Sequence, residues 1–340
     1  MSRTLGSRKR SGSAAAAGFD RPLLLTARED LVGYAGSLAG RSLLFLVAAS
    51  SVLAVLLIFV FITREAFLFF VQGETIGEAG RFFVARAGEV FGSTAWHPEH
   101  EAAPEFGMLA IIAGSFYVTF GSVLIAVPLG LLTAVCLSDI FPFTLRQITK
   151  PVVELLAAIP SVAYGFFAVM VVKPWMQEYL GVPSGANVLN ASMILAVMAV
   201  PTIVSVSEDA LTAVGRPLRE ASYALGATRA ETMVRVIIPA AHNGIIAAVI
   251  LGMMRAVGET MVVWMAAGNA TQIPHPWWDL TESVRTMTAT VAQEMGETAH
   301  GSVHYHSLFT IGLILLVFTF VLNTLTEFLL SRMKFRGARP

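Results

Sequence analysis

Residues 219–240 read REASYALGATRAETMVRVIIPA, a polar, arginine-bearing stretch with apolar runs on both sides of it. Those runs are long enough to cross a bilayer. Pro217 suits a first helical turn. Glu220, Ala221, Tyr223, Ala224 and Leu225 then favour a short helix, and Gly226 ends it, because glycine readily takes the positive φ of a helix C-terminus. A second helical piece runs through Met233 and Val236 to Pro239, where the next span begins. The expectation is a short helix lying across the membrane surface, rigid enough to transmit force and small-faced enough to enter a groove.

Composition places this segment in a membrane protein. The 340 residues are 55% hydrophobic and 14% charged, with mean hydropathy +0.69, too little charge to cover a soluble domain. Continuous apolar runs, rather than alternating ones, exclude a β-barrel. The predicted class is all-α, a polytopic helical membrane protein with the lipid bilayer as its surroundings. Zero net charge gives no sign of a nucleic-acid partner. Cys136 is the single cysteine, which rules out an internal disulfide or a cysteine-rich metal site.

Six spans are expected, near 42–63, 109–138, 151–172, 190–208, 244–267 and 308–330. Residues 1–40 read as a basic cytoplasmic tail, and 41–335 as the transmembrane domain. Pro128, Pro160 and Pro201 fall inside the second, third and fourth spans. Pro128 reads as a packing kink, whereas Pro160 and Pro201 are either kinks or breaks along a pathway. Seventeen lysines and arginines lie on the side of the termini and of the 216–240 loop, against five on the other. That bias puts both termini in the cytoplasm of a multi-pass protein of the bacterial inner membrane. Segments 64–106 and 268–307 are then extracytoplasmic.

In the second of these, Val284, Met287, Val291 and Met295 recur at helical spacing and predict an amphipathic helix. His300, His304 and His306 could hold a metal by spacing. With no accompanying cysteine, the plainer reading is an exposed polar loop.

Glu220-Ala221-Ser222, then Gly226 after three intervening residues, and Val236-x-Ile238-Pro239 after nine more resemble the EAA loop of ABC importer permeases. The stretches Glu154 to Gly165 and Arg255 to Met261 look like phosphate-specific permeases of the PstC type. The resemblance covers about residues 40–330, with one departure: Val118 stands where glycine is expected between Tyr117 and Thr119. It implies a type I permease fold whose loop, through Glu220, Ala221, Ser222, Gly226 and Pro239, docks on an ATPase subunit. It implies a second permease subunit, two ATP-binding cassette ATPase chains and an extracytoplasmic phosphate-binding protein as partners. This chain has no Walker-type phosphate loop, so ATP and Mg would be bound by the partner ATPase, and the chain itself would need no cofactor and catalyse nothing.

Arg255 lies about 11 residues into the fifth span, roughly 17 Å deep, with Glu259 one turn further on. Positions i and i+4 share a helix face, so the two side chains are expected side by side. A guanidinium within the membrane fits an oxyanion path, and the family resemblance implies phosphate passage. A structural salt bridge between the two is the competing reading. Ser161, Tyr164, Thr202 and Ser205 are further candidates for lining the path. Other oxyanions (molybdate, sulfate, phosphonate) and a stand-alone secondary transporter remain alternatives. A membrane enzyme is disfavoured, because the spans lack a nucleophile–base set.

Overall fold

Helix α1, Ala27–Val71, opens the part of the chain that a computed structural model describes, which is residues 27–71, 79–100 and 103–337. The chain divides into two compact units, 1–60 and 61–340. In the first, residues 1–26 of the predicted tail lie outside the described residues. Residues 27–40 are helical, while the stretch long and apolar enough to cross a membrane begins at Gly40. They contain no proline and several good helix formers, which lets α1 start well before Ser42. Most side chains from Leu43 to Val60 are apolar and exposed.

The second unit continues from the end of α1 through α2, Ala79–Gly92, and a two-stranded antiparallel hairpin, β1 (Trp96–His97) and β2 (Glu105–Phe106). Next come α3, Leu109–Val135, which loosens into a π-turn at Cys136–Ile140, and α4, Phe143–Ala158. Helix α5, Ser161–Phe167, passes through a second π-turn, Ala168–Val172, into α6, Lys173–Tyr179. Then follow α7, Val188–Ala213, α8, Arg216–Ala224, and α9, Arg229–Thr232. A π-turn at Met233–Ile237 joins α9 to α10, Ile238–Val257. Three helices complete the unit: α11, Met261–Ala266, α12, Met287–Glu294, and α13, Val303–Gly337.

Five described helices are long and apolar enough to cross a membrane: Gly40–Val71, Leu109–Ile140, Val188–Ala213, Arg229–Val257 and Val303–Phe328. The pair Phe143–Ala158 and Ser161–Tyr179, bent by 90°, makes a sixth when taken as one span. The expected count of six therefore holds only with a broken third member. Pro128 and Pro201 sit inside continuous helices, whereas Pro160 stands at the break. The residue before it, Ile159, is pushed to ψ 129°, outside the helical region, as a residue preceding proline tends to be.

Helices α3, α7 and α10 form the centre of the unit. Small residues allow their close approach. A Cβ on Gly252 of α10 would lie 2.5 Å from Ile203 of α7, and one on Gly130 of α3 would lie 2.7 Å from the same side chain. Val118 is buried in the main core cluster, so the departure from the family pattern is absorbed by packing. Beneath α12 lies a second cluster, with Phe69, Trp96, Phe106, Met108 and Ile111 around Met287, Val291 and Met295. The amphipathic helix thus lies on the protein. Val284 precedes it and belongs to the main cluster instead.

Candidate functional site

The segment 216–240 folds much as its residues predict. Pro217 occupies the first turn of α8, and Gly226 takes φ +83° just beyond its end. The Gly226 and Ala227 N–H groups donate back to the carbonyls of Tyr223 and Ser222 at 2.9 and 3.2 Å. Thr228 and Glu231 form a reciprocal capping box that starts α9. The π-turn then lets Pro239 enter the first turn of α10 without breaking it. Glu220, Ala221, Gly226 and Pro239 are exposed, together with Leu218, Tyr223 and Leu225. Ser222 is buried and shares a 2.8 Å hydrogen bond with Thr232 of α9. It braces the two pieces against each other and presents nothing outward. On its inner side α8 is held by Arg219, which pairs with Asp139 at the end of α3 and donates to the Leu211 carbonyl of α7 at 2.9 Å.

Of the candidate pathway residues, Ser161 and Tyr164 follow one helix break and Arg255 and Glu259 flank another, whereas Thr202 and Ser205 lie on the continuous α7. At the first, Pro160 has no N–H to give the Leu156 carbonyl, which lies four residues earlier. The Tyr164 hydroxyl donates to that carbonyl instead, at 2.8 Å. At the second, α10 ends at Val257 and α11 begins at Met261. The short helices α5 and α11 pack together, and a Cβ on Gly165 would lie 2.6 Å from the Met265 sulfur.

This second break overturns the expected face shared by Arg255 and Glu259. Arg255 sits in the last turn of α10, and Glu259 lies beyond that helix. Glu259 is a cap: one carboxylate oxygen accepts from the N–H groups of Thr260, Met261 and Val262 at 3.2, 3.2 and 3.5 Å. Its own backbone carbonyl accepts from the Thr288 hydroxyl at 2.8 Å. No ion pair joins it to Arg255 among the described residues, so the salt-bridge reading fails as well. Each charge instead meets a helix end of opposite sign, the cation at a C-terminus and the carboxylate at an N-terminus. Arg255 is exposed and makes no hydrogen bond or ion pair among the described residues. Ser161 opens α5, and Thr202 and Ser205 lie half-buried on α7. No hydrogen bond or ion pair brings these three to Arg255 or Glu259.

Two polar clusters were not foreseen. Glu208 of α7 is 1% exposed and meets both Arg146 and Lys150 of α4. Lys150 therefore pairs across helices, from α4 to α7. On the opposite side of the molecule, Glu294 accepts from Trp96 at 3.1 Å, pairs with Arg285 at 2.8 Å and meets His304 at 2.8 Å. Burial pushes the Glu294 carboxyl up, but the His304 hydrogen bond, the Arg285 charge and the Trp96 N–H outweigh it and hold it below the ordinary carboxylate range. His306 is 3.1 Å from Glu65, and His300 stacks edge-on against Tyr305. The three histidines thus have separate partners, and no metal-holding group occurs among the described residues. His304 and His306 are also largely buried, which corrects the reading as an exposed loop.

Residues 126–335 match the family described as binding-protein-dependent transport system inner membrane component. The chain is 41% identical over 246 residues to the probable ABC transporter permease protein YqgH of Bacillus subtilis (strain 168), covering 72% of this chain and 78% of that one. It is 36% identical over 263 residues to the phosphate transport system permease protein PstC of Mesorhizobium japonicum, with the same coverage. Among solved structures, an inward-facing MetNI methionine ABC transporter matches with TM-score 0.52 at 20% identity, over 66% of this chain and 96% of that one. This last likeness concerns the fold.

Proposed function

The chain belongs to the binding-protein-dependent transport system inner membrane component family, and from that premise we propose that it is one permease subunit of an ATP-driven importer of inorganic phosphate. Its partners are a second permease subunit, two ATPase chains that bind ATP and Mg, and an extracytoplasmic phosphate-binding protein. The exposed face of α8 docks on an ATPase chain, with both termini on the same cytoplasmic side. Segments 64–106 and 268–307 face outward, where the binding protein docks.

The observation that carries the substrate is Arg255. An exposed guanidinium with no hydrogen-bond or ion-pair partner among the described residues, at the junction of two broken helices, suits a tetrahedral oxyanion. Broken helices in transporters place helix ends and freed backbone groups beside the substrate. Several relatives at 30–36% identity bear the name phosphate transport system permease protein, which supports phosphate over other oxyanions. Glu259 keeps one carboxylate oxygen outside its cap. That oxygen can accept from a protonated phosphate and repel unprotonated sulfate. Ser161, Tyr164, Thr202 and Ser205 border the path as a group.

Uptake into proteoliposomes that hold the co-purified complex tests the reading. Labelled phosphate should enter only with ATP and binding protein present, and excess sulfate or molybdate should not compete. Uptake by this chain without any ATPase would instead identify a stand-alone transporter.

A further inference from the structure

Glu208 is buried to 1% in a helix that reads as a span, and it is held by two cations at once. One carboxylate oxygen accepts from Arg146 and the other from Lys150 at 2.6 Å. Arg146 and Lys150 stand four residues apart on α4, on one face, so both reach the same side chain. Neutralising one buried carboxylate takes a single cation. The second is only partly shared, since Lys150 lies 3.6 Å from Asp209, which is exposed.

What this cluster holds is more informative than its charge. Val153 is the one buried residue among those of α4, while Phe143, Leu145, Ile148, Val152 and Leu155 are exposed. Apolar burial of α4 is therefore limited to Val153, which clusters with Val204 of α7, and the ion pairs to Glu208 add a second tie between the two helices. At its far end α4 meets the 90° bend at Pro160, beyond which Tyr164 reaches back to Leu156. On the other side of Glu208, the Leu211 carbonyl of α7 accepts from Arg219 of α8, and the Thr212 hydroxyl lies 3.4 Å from Glu208 itself. Polar contacts thus tie α8 to the last turns of α7 and α7 to α4 through Glu208, and the α4 helix itself carries on to the bend.

We propose that Glu208 is a positioning residue that passes movement of the coupling helix α8 to the α4–α5 bend. The assignment rests on the transport reading above. A bend with a weakly packed arm needs a stiff link to follow a motion imposed elsewhere. A charge-assisted pair to a buried carboxylate is stronger and shorter than a neutral contact. Coupling carried in this way is testable as an energy, whereas proximity alone is not.

The test uses the whole complex in proteoliposomes and reads inorganic phosphate moved per ATP hydrolysed. Glu208→Gln keeps the shape and loses the charge. The complex should still assemble and hydrolyse ATP, with phosphate moved per ATP lowered about tenfold, within the range of allosteric couplings. Lys150→Gln, at a site about a third exposed, should lower the ratio less. A merely structural role predicts the opposite pattern, in which assembly, hydrolysis and transport fall together and the ratio is unchanged. That pattern in either variant overturns the assignment, and if Glu208→Gln does not assemble, an unchanged ratio in Lys150→Gln does so alone. A wild-type complex that moves no phosphate breaks the transport reading itself. A wild type that transports, matched by Glu208→Gln in phosphate per ATP, breaks only the role given to Glu208.

Discussion

At Pro160 the chain turns by 90° between α4 and α5, and at Gly258 it leaves α10 and restarts as α11. The first break is forced by covalent structure. Proline has no N–H, and the carbonyl it abandons is repaired by a neutral hydroxyl, that of Tyr164. The second has no proline. Gly258 has φ −80°, which any residue adopts, and what organises the break is the Glu259 carboxylate over three N–H groups. One break would persist without charge, whereas the other is maintained by a charged group close to the arginine that the transport reading depends on.

The largest effect should come from Arg255. Arg255→Gln removes a cation at the junction, and transport should fall about 100-fold, the cost of losing a charge-assisted contact of about 3 kcal/mol. Membrane abundance should be unchanged, because the side chain has no hydrogen-bond or ion-pair partner among the described residues to lose. The double change Arg255→Glu with Glu259→Arg should not restore uptake. Recovery by that swap would mean that the two side chains do pair during transport.

Glu259 should separate cap from charge. Glu259→Ala leaves three N–H groups without their acceptor and should destabilise the chain by about 1 kcal/mol, seen as a lower melting temperature in detergent. Glu259→Gln keeps an acceptor oxygen and should melt close to wild type. Losing the negative charge, it should admit sulfate as a competitor of phosphate uptake. Unaltered sulfate exclusion in a well-folded Glu259→Gln protein would confine this residue to its capping role.

The difference between the breaks also marks what could be read from sequence. Proline and glycine act through their own backbone, so the turn at Gly226 and the entry at Pro239 were legible, as were the apolar runs, whereas at Pro160 the sequence left kink and break open. The end of α10 was not. Met254-Arg255-Ala256-Val257 is helix-compatible, and the stop depends on a carboxylate capping the next helix and on Thr288, 29 residues away, holding the Glu259 carbonyl. Reading one helix through residue 259 placed Arg255 and Glu259 on a common face that does not exist. The same limit hid Glu208, whose partners are 58 and 62 residues distant, and His304, whose partner Glu294 belongs to another element. The i, i+4 spacing of Arg146 and Lys150 was visible, but nothing local said that both would meet one buried acid.

Tyr164 tests whether the first break is only braced. Tyr164→Phe leaves the Leu156 carbonyl with one fewer donor and should cost about 1 kcal/mol of stability. Phosphate uptake per folded complex should fall no more than a few-fold. A loss as deep as that of Arg255→Gln would make the hydroxyl part of the pathway rather than a support of the bend.

The smallest effect should come from Gly258→Ala, and it tests what causes the second break. A Cβ there would meet only the Met254 carbonyl, at 3.6 Å, an ordinary contact, and the backbone conformation is open to alanine. In a helix interior, alanine is favoured over glycine by about 1 kcal/mol. If glycine's flexibility causes the break, the substitution should extend α10 through residue 259, pull the carboxylate off the α11 N–H groups and change both uptake and sulfate exclusion. If the Glu259 cap causes it, the helix has no reason to continue, because continuing would forfeit three charge-assisted hydrogen bonds. The expected result is the second, with stability within about 0.5 kcal/mol of wild type and unchanged selectivity, as for a substitution that touches nothing. Gly258→Ala in a Glu259→Ala background should then behave differently, because with the cap gone alanine can draw the helix onward. A non-additive change in melting temperature between the single and double variants would measure how strongly the carboxylate holds the break open.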